Sequence, residues 1–270
     1  MYQQNKLTVF LRKKGMWSSR GFWKPGETRL IYQVIDTVIL LLIVINNRIK
    51  TNGLFKLFTL KRSRQGKNIV WIDAGLHEQG AELEFVINNV FSGYKNIKYF
   101  GFECCSKFCL PLIERYKTHT NVNIHNIALN NTENESIIYH DTKRGLGNGL
   151  YKRKGTVSEI ETVPSTRLST YITKYSIDMS NSVVFLRMNI EGAECVVIHD
   201  LHKYGLLEKI NGFYGLWDDV RMLPRNKRNY FNKLLQRYNI QNLTFNGRDF
   251  RVLPFIRLWC IKYHIYTQLL

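Results

Sequence analysis

The chain has 270 residues, 44% of them hydrophobic and 13% aromatic, which is typical of a globular protein and excludes a disordered or low-complexity chain. Its length suits one domain with an extension. The formal net charge of +18 suggests an anionic partner, but the position of that charge along the chain limits the inference.

Most of the positive charge lies in an N-terminal arm, residues 1–67. This arm has 14 Lys and Arg residues against two acids, a net charge of +12, whereas residues 68–270 carry only +6. A basic arm of this kind favours an anionic surface, either membrane headgroups or nucleic acid. Since the excess lies outside the body of the chain, and no motif interleaves aromatic with basic residues, the sequence argues against nucleic acid as the partner.

The arm contains one apolar segment, predicted to form a helix over about residues 30–49. Its core, Leu30–Ile45, has 16 residues and includes Gln33 and Asp36, whereas a membrane-spanning helix needs roughly 20 apolar residues. We expect a helix packed on the domain or lying at a membrane surface, with a short signal anchor as the alternative.

The five cysteines indicate a reducing environment. Three of them crowd into one segment, at Cys104, Cys105 and Cys109, and no second cluster of Cys or His lies at zinc-ligand spacing. We therefore expect reduced, mostly buried thiols, no metal site and a cytoplasmic protein. Peripheral association with a membrane through the basic arm is the alternative.

From residue 68 onward, short apolar strands alternate with segments of helical periodicity, which predicts one domain over residues 68–270. The predicted strands are Asn68–Asp73, Ile97–Glu103, Val122–Leu129, Ser136–Tyr139, Ser158–Val163, Ser182–Met188 and Gly212–Trp217. The predicted helices are Glu78–Phe91, Leu110–Tyr116, Ala193–Tyr204 and Lys227–Tyr238, and Arg251–Ile265 is expected to form a final hairpin. Apolar strands separated by helices predict a Rossmann-like α/β fold, with a mostly parallel sheet covered by helices on both faces.

Acids or their amides follow three of these strands. Asp73 ends the first, Glu103 ends the second 30 residues later, and Asn189 and Glu191 follow the strand Ser182–Met188. Ligands bind beyond the carboxyl ends of parallel strands, and an acid after the second strand can accept hydrogen bonds from ribose hydroxyls. Any one of these acids alone is better explained as a helix cap or a solvated strand end. Together they predict a cofactor that contains a nucleoside.

The loop after the first strand favours a cofactor without phosphate. The segment DAGLHEQG has glycines only at Gly75 and Gly80, does not match G-x-G-x-x-G, and carries Glu78, which would repel a pyrophosphate. S-adenosylmethionine fits better, because its sulfonium cation is compatible with acids at the strand ends.

The order of these motifs resembles that of FkbM-type class I methyltransferases, over roughly residues 68–217. The matching elements are Asp73-x-Gly75, Glu103, Asn126-Ile127-Ala128-Leu129, Glu161-Thr162-Val163-Pro164 and Asn189-Ile190-Glu191-Gly192-Ala193-Glu194. The resemblance implies an O-methyltransferase that uses S-adenosylmethionine and acts on a hydroxyl of a sugar, a glycolipid or a secondary metabolite.

The resemblance also implies roles for individual residues. Asp73 and Gly75 would flank the methionine end of the cofactor, Glu103 would bind the ribose hydroxyls, and Asn126 and Ala128 would lie near the adenine. The acidic cluster of the last motif would lie beside the transferred methyl group, where Asn189 could bind cofactor or substrate.

The chain departs from the family pattern at two motifs. Arg187 and Asn189 stand where Lys and Asp are usual, His77 stands where Asn is frequent, and the second glycine of the early loop is displaced to Gly80. An amide at Asn189 cannot act as a base. The alternative reading is therefore a catalytically impaired, methyltransferase-like module that binds a membrane surface or a polyanion through its basic arm.

Methyl transfer to oxygen needs a general base within hydrogen-bond reach of the acceptor hydroxyl. The candidates are Glu191 and Asp218, with Asp219 beside it, although an Asp pair there is equally explained as the cap of the next helix. The basic loop Lys143–Lys154 suits a lid over an anionic substrate or a solvated insertion. An RNA methyltransferase is the third hypothesis and rests on charge alone.

Overall fold

The computed structural model describes residues 38, 67–133, 135–140, 160–190, 192–217, 220, 223–243, 245, 261, 262, 264–266 and 269. The chain divides into two compact units, one formed by Gly66–Asn242 and the other by Met1–Gln65 together with Leu243–Leu270. The predicted domain boundary at residue 68 stays a prediction. The predicted arm helix also stays a prediction, because only Val38 in it is described; this residue is helical and 48% exposed.

A mostly parallel six-stranded sheet forms the larger unit, which confirms the predicted Rossmann-like α/β fold. The strands in chain order are β1 (Asn68–Ala74), β2 (Ile97–Phe102), β3 (Val122–His125), β4 (Ala128–Leu129), β5 (Ser136–His140), β6 (Ile160–Thr166), β7 (Ser182–Met188), β8 (Gly212–Gly215) and β9 (Asn242–Leu243). The sheet has the order β3-β2-β1-β7-β8-β9, and β4, β6 and β5 form a small second sheet. The pairs that β1 makes with β2 and β7, and those of β2 with β3 and β7 with β8, are all parallel.

Helices cover both faces of the large sheet. They are α1 (Ala81–Phe85), which continues as a π-helical turn over Val86–Val90, α2 (Ser106–Tyr116), α3 (Leu168–Lys174), α4 (Glu194–Lys203) and α5 (Arg225–Arg237). One face of the sheet shares a core with α3, α4 and α5, in which Val70 and Ile72 of β1 pack with Val197 of α4. On the other face, Trp71 stacks on Tyr214 of β8. Both faces of β1 are thus buried, which explains its almost wholly apolar sequence.

Several predicted elements differ from those observed. The strand predicted over Val122–Leu129 is wrong as a single element, because it breaks after His125 and its two parts join different sheets. Helix α1 begins at Ala81 rather than Glu78, since Gly80 has a left-handed φ of 56°. Helix α3 was not predicted.

The final hairpin predicted over Arg251–Ile265 is wrong at its end, where residues 261, 262 and 264–266 are helical. The rest of that segment lies outside the described residues. Among the residues that are described, none belongs to a helix long and apolar enough to span a bilayer.

Candidate functional site

The strand order reverses between β1 and β7, so the carboxyl ends of these two central strands meet at the topological switch point. After β7 the chain enters α4, which packs on the Val70 face, whereas Phe91, beyond α1, contacts Phe185 on the opposite face. Two helices that leave neighbouring strands toward opposite faces open a crevice at the edge of the sheet. Doubly wound α/β proteins bind their ligands in such crevices.

Gly75 brings the loop after β1 into contact with the end of β7. Its φ is 84°, and a Cβ at this position would overlap the backbone carbonyl of Asn189. The backbone N–H of Asn189 donates to the carbonyl of Ala74 at 2.9 Å. Only glycine tolerates both the positive φ and the close approach. The sequence predicted Gly75 as a site residue, and the described geometry brings it together with Asn189.

Arg187 holds the same region together from inside the sheet. Its guanidinium donates to Oδ1 of Asp73 at 2.8 Å and to the carbonyl of Gly75 at 2.6 Å, and it lies 3.4 Å from Oε1 of Glu82 in α1. Asp73 is fully buried and Arg187 is 3% exposed. Burial raises the pKa of Asp73, although the neighbouring guanidinium acts against that rise.

Both carboxylate oxygens of Asp73 have partners in this ion pair. Its Oδ1 atom accepts from Arg187, and its Oδ2 atom accepts from the indole N–H of Trp71 at 3.4 Å. The side chain has no exposed surface. Asp73 thus fixes the arginine that bonds the Gly75 loop, and its contact with the methionine end of a cofactor stays a prediction.

Glu103, directly after β2, joins two loops. Its Oε2 atom accepts from the backbone N–H of His77 at 2.7 Å, and its Oε1 atom accepts from the backbone N–H of Cys105 at 2.9 Å. The residue is 7% exposed, and burial raises the pKa of its carboxyl while the two backbone hydrogen bonds lower it. The carboxylate is thus fixed in orientation between the loop after β1 and the loop before α2.

Asn126 orders the loop that follows Glu103. Its side-chain amide donates to the carbonyls of Glu103 and Cys104, both at 2.9 Å, and its Oδ1 atom accepts from the hydroxyl of Ser106 at 2.8 Å. These three bonds explain why β3 ends just before Asn126. The other residue predicted to lie near an adenine, Ala128, is buried in β4 of the small sheet.

Glu194 closes the turn after β7. Its two carboxylate oxygens accept from the backbone N–H groups of Ile190 at 3.0 Å and Gly192 at 2.9 Å, and the residue is 1% exposed. The conformation of this turn, with Gly192 at a φ of 117°, therefore depends on an acid that follows it. Glu194, the last acid of the Asn189–Glu194 motif, thus stabilises this turn through its two backbone hydrogen bonds.

The two predicted general bases, Glu191 and Asp218, lie outside the described residues, as do Asp219 and the loop Lys143–Lys154. Of the other candidates, His77 has a left-handed φ of 61° and packs its ring 4.9 Å from Phe108. His199 and His202 lie on α4, away from the switch point.

Unpaired polar atoms mark the carboxyl edge of the sheet. Within the described part of the chain, the buried side-chain atoms that lack a hydrogen-bond partner are Nε2 of His77, the hydroxyl of Tyr116, Nε of Arg187, Nε1 of Trp217 and Oδ1 of Asn242. His77, Arg187 and Trp217 lie at or just after the ends of β1, β7 and β8, and Asn242, which begins β9, donates its amide to the carbonyl of Gly215 at the end of β8 at 2.7 Å. Buried polar atoms nearly always have partners in folded proteins, so their concentration here is typical of a ligand-binding edge.

The described cysteines near this edge are reduced. Cys104, Cys105, Cys109 and Cys195 form no disulfide, and burial raises the pKa of Cys109 to about 12. Such a thiol is a poor nucleophile at neutral pH. The described residues also contain no group of three His, Cys, Asp or Glu side chains arranged to hold a metal ion.

Three functional features were missed by sequence reasoning: the pairing of Arg187 with Asp73, the contact of Glu82 with Arg187, and the hydrogen bond of 2.6 Å between Nε2 of His125 and the hydroxyl of Tyr171. The pairing of Arg187 with Asp73 could have been predicted from the sequence, because an arginine inside the apolar run VVFLRM needs a buried acid as its partner. The other two contacts join residues far apart in the sequence and left no local pattern.

Comparisons of the chain with protein-family models, with curated proteins and with solved structures found no match.

Proposed function

We propose that the chain is an S-adenosylmethionine-dependent O-methyltransferase that acts on a hydroxyl of a sugar, a glycolipid or a secondary metabolite. The observation that carries this proposal is the carboxylate of Glu103, which lies directly after β2 and is oriented by the backbone N–H groups of His77 and Cys105. The acceptor class comes from the motif resemblance alone.

The hydrogen-bonding capacity of Glu103 fits a ribose. An ionised carboxylate has about four acceptor positions, and each oxygen of Glu103 uses one of them for a backbone N–H. Oε1 also receives the thiol of Cys104 at 3.9 Å, a weak contact that a hydroxyl donor can displace, so each oxygen can accept one of two donors that lie side by side. The two neighbouring hydroxyls of a ribose are such a pair, and the fixed carboxylate binds them without further ordering.

The charges at the switch point fit a cation better than a phosphate. Asp73, Glu82 and Glu103 interact electrostatically with a single guanidinium, that of Arg187, so the formal charge of this group is negative. A pyrophosphate would be repelled there, whereas a sulfonium would be attracted. Gly75 keeps the loop after β1 against the end of β7, because the Asn189 backbone fills the space that a side chain at this position would need.

The remaining residues suggest how transfer would proceed. S-adenosylmethionine would supply the methyl group on its sulfonium, and the crevice would align the acceptor oxygen in line with it, which provides much of the rate. The hydroxyl proton needs a base. Asn189 carries an amide, which cannot take up the proton, and both carboxylate oxygens of Glu194 already accept backbone N–H groups. Glu191 and Asp218 therefore remain the candidate general bases.

The first test is calorimetric titration of the full-length chain with S-adenosylmethionine and S-adenosylhomocysteine. We expect both to bind, and we expect Glu103→Gln to weaken binding at least about tenfold, as for the loss of a hydrogen bond to a charged group. Glu114→Gln, an exposed acid on α2 that pairs with Lys117, is the matched control and should leave affinity unchanged. Absence of binding by the folded, unsubstituted chain at millimolar ligand would overturn the proposal.

The second candidate function is a methyltransferase-like module without transfer activity, acting at a membrane or polyanion through its arm. Asn189 favours it, because the amide stands where a catalytic acid is expected from the resemblance. Cofactor binding with no methyl transfer to glycan, glycolipid or phenolic acceptors would support this candidate. Transfer to any of them would exclude it.

A further inference from the structure

The outward side of α5 is a basic surface that the proposed reaction does not use. The helix has 13 residues, of which five are Lys or Arg and none is Asp or Glu. Its exposed basic residues on the side opposite the buried Phe231 and Leu234 are Arg225, Lys233 and Arg237. We call this set the α5 face. Among the described residues, no carboxylate forms an ion pair with any of the three.

The neighbouring helix extends this positive surface. Helix α4 lies beside α5, since His199 packs edge-on against Tyr230 with ring centroids 5.7 Å apart and His202 hydrogen-bonds the hydroxyl of Tyr238 at 2.7 Å. The two acids of α4, Glu194 and Asp200, are both buried, and Asp200 accepts from Ser169. The exposed part of α4 therefore adds Lys203 and no carboxylate.

The charges of the α5 face cost stability rather than adding to it. Arg225 lies in the first turn of the helix, where the macrodipole favours acids, and Lys233 and Arg237 are like charges four residues apart. The folding role of α5 is carried by Phe231 and Leu234, which are buried in the core. A helix that is anchored by its apolar side and presents cations without acidic partners outward is suited to an anionic partner.

We propose that the α5 face binds the anionic lipid surface of a membrane. The same chain carries the apolar segment Leu30–Ile45 between basic residues, and an anionic bilayer accommodates both an apolar segment and a basic helix face. Tyr230, 42% exposed, and Tyr204, 49% exposed, have the amphipathic rings found at membrane interfaces.

The test is co-sedimentation of the full-length chain with vesicles of phosphatidylcholine alone and with vesicles that also contain phosphatidylserine. The α5 variant combines Arg225→Gln, Lys233→Gln and Arg237→Gln. The control variant removes the same charge from other exposed positions of the domain through Lys95→Gln, Lys98→Gln and Lys174→Gln. Both variants keep the basic arm, and circular dichroism verifies that both are folded.

We expect the chain to partition onto phosphatidylserine vesicles and not onto phosphatidylcholine. The α5 variant should lose up to about a hundredfold in partition coefficient, because each of its three basic residues contributes a factor of about five near an anionic surface. The control variant should change by no more than about threefold, as expected from net charge alone. Equal losses in the two variants, or tighter binding to a single-stranded oligonucleotide than to the vesicles, would overturn the proposal. Because no step involves the cofactor, this result is independent of the methyltransferase test.

Discussion

Asp73 and Arg187 occupy facing positions of the adjacent parallel strands β1 and β7, and their carboxylate and guanidinium are joined at 2.8 Å with both side chains buried. The pair lies where the strand order of the sheet reverses. Through a second bond from Arg187 to the carbonyl of Gly75, it connects the interior of the sheet to the loop that borders the crevice.

Arg187→Met should destabilise the protein strongly, because it leaves the carboxylate of Asp73 buried without a partner. We expect a loss of about 3–5 kcal/mol in the free energy of unfolding, measured by urea denaturation. Adding Asp73→Asn to that variant should recover part of the loss. The control is Arg115→Met, which removes an exposed arginine 3.8 Å from Glu84 and should cost no more than about 1 kcal/mol. If Arg187→Met and Arg115→Met lowered the free energy of unfolding by similar amounts, burial would not be what makes the Arg187 ion pair important.

Gly75→Ala should be far more damaging than Gly93→Ala. Both glycines have a positive φ, of 84° and 73°, but a Cβ at Gly93 would meet no atom within 4 Å whereas one at Gly75 would overlap the carbonyl of Asn189. Backbone strain alone predicts a cost of about 1–3 kcal/mol at either position. The difference between the two variants in chemical denaturation isolates the contact between β1 and β7. If Gly75→Ala and Gly93→Ala lower the free energy of unfolding equally, the backbone of Gly75 does not contact that of Asn189 closely in solution.

Glu194→Ala should open the turn that follows β7. The substitution leaves the backbone N–H groups of Ile190 and Gly192 without acceptors, at about 1–3 kcal/mol for each buried group. Glu208→Ala, at an exposed acid, serves as the control and should be nearly neutral. Hydrogen exchange of the two amides reads out the turn directly. Unchanged protection of both amides in Glu194→Ala would show that the clamp is dispensable.

His125 should make the protein less stable in mild acid. Burial, with a smaller contribution from Lys174, lowers the pKa of His125 below its ordinary value of about 6.5. The unfolded chain therefore binds more protons than the folded chain just below that pH. Stability contributed by the neutral ring is present above about pH 6.5 and is lost as the pH falls below it.

The measurement is the free energy of unfolding against pH for the unsubstituted chain and for His125→Gln. The difference between the two curves should decrease as the pH falls below about 6.5, since the variant cannot be protonated there. His119→Gln, at an exposed histidine, is the control and should run parallel to the unsubstituted chain. A pH-independent difference between His125→Gln and the unsubstituted chain would contradict the lowered pKa.

The pattern of apolar strands and helical periodicity was sufficient to predict the α/β fold, and the strand over Ser182–Met188 has the predicted bounds. Such patterns work because a strand buried on both faces has to be apolar along its whole length. The same reasoning failed at Val122–Leu129, which is one apolar run in the sequence. There the bonds of Asn126 to the loop after β2 end the strand, and these partners are more than twenty residues away.

The sequence by itself determined the parallel sheet and the acids at its carboxyl edge, because both follow from residue types in consecutive positions. Only the tertiary structure decided what each acid does. Asp73 is paired inside the sheet, Glu194 clamps a turn, and Glu103 is held between two loops. The physical reason is that a carboxylate takes the role set by the donors around it. Here those donors are an arginine on the neighbouring strand for Asp73 and backbone N–H groups of the loops at the sheet edge for the other two.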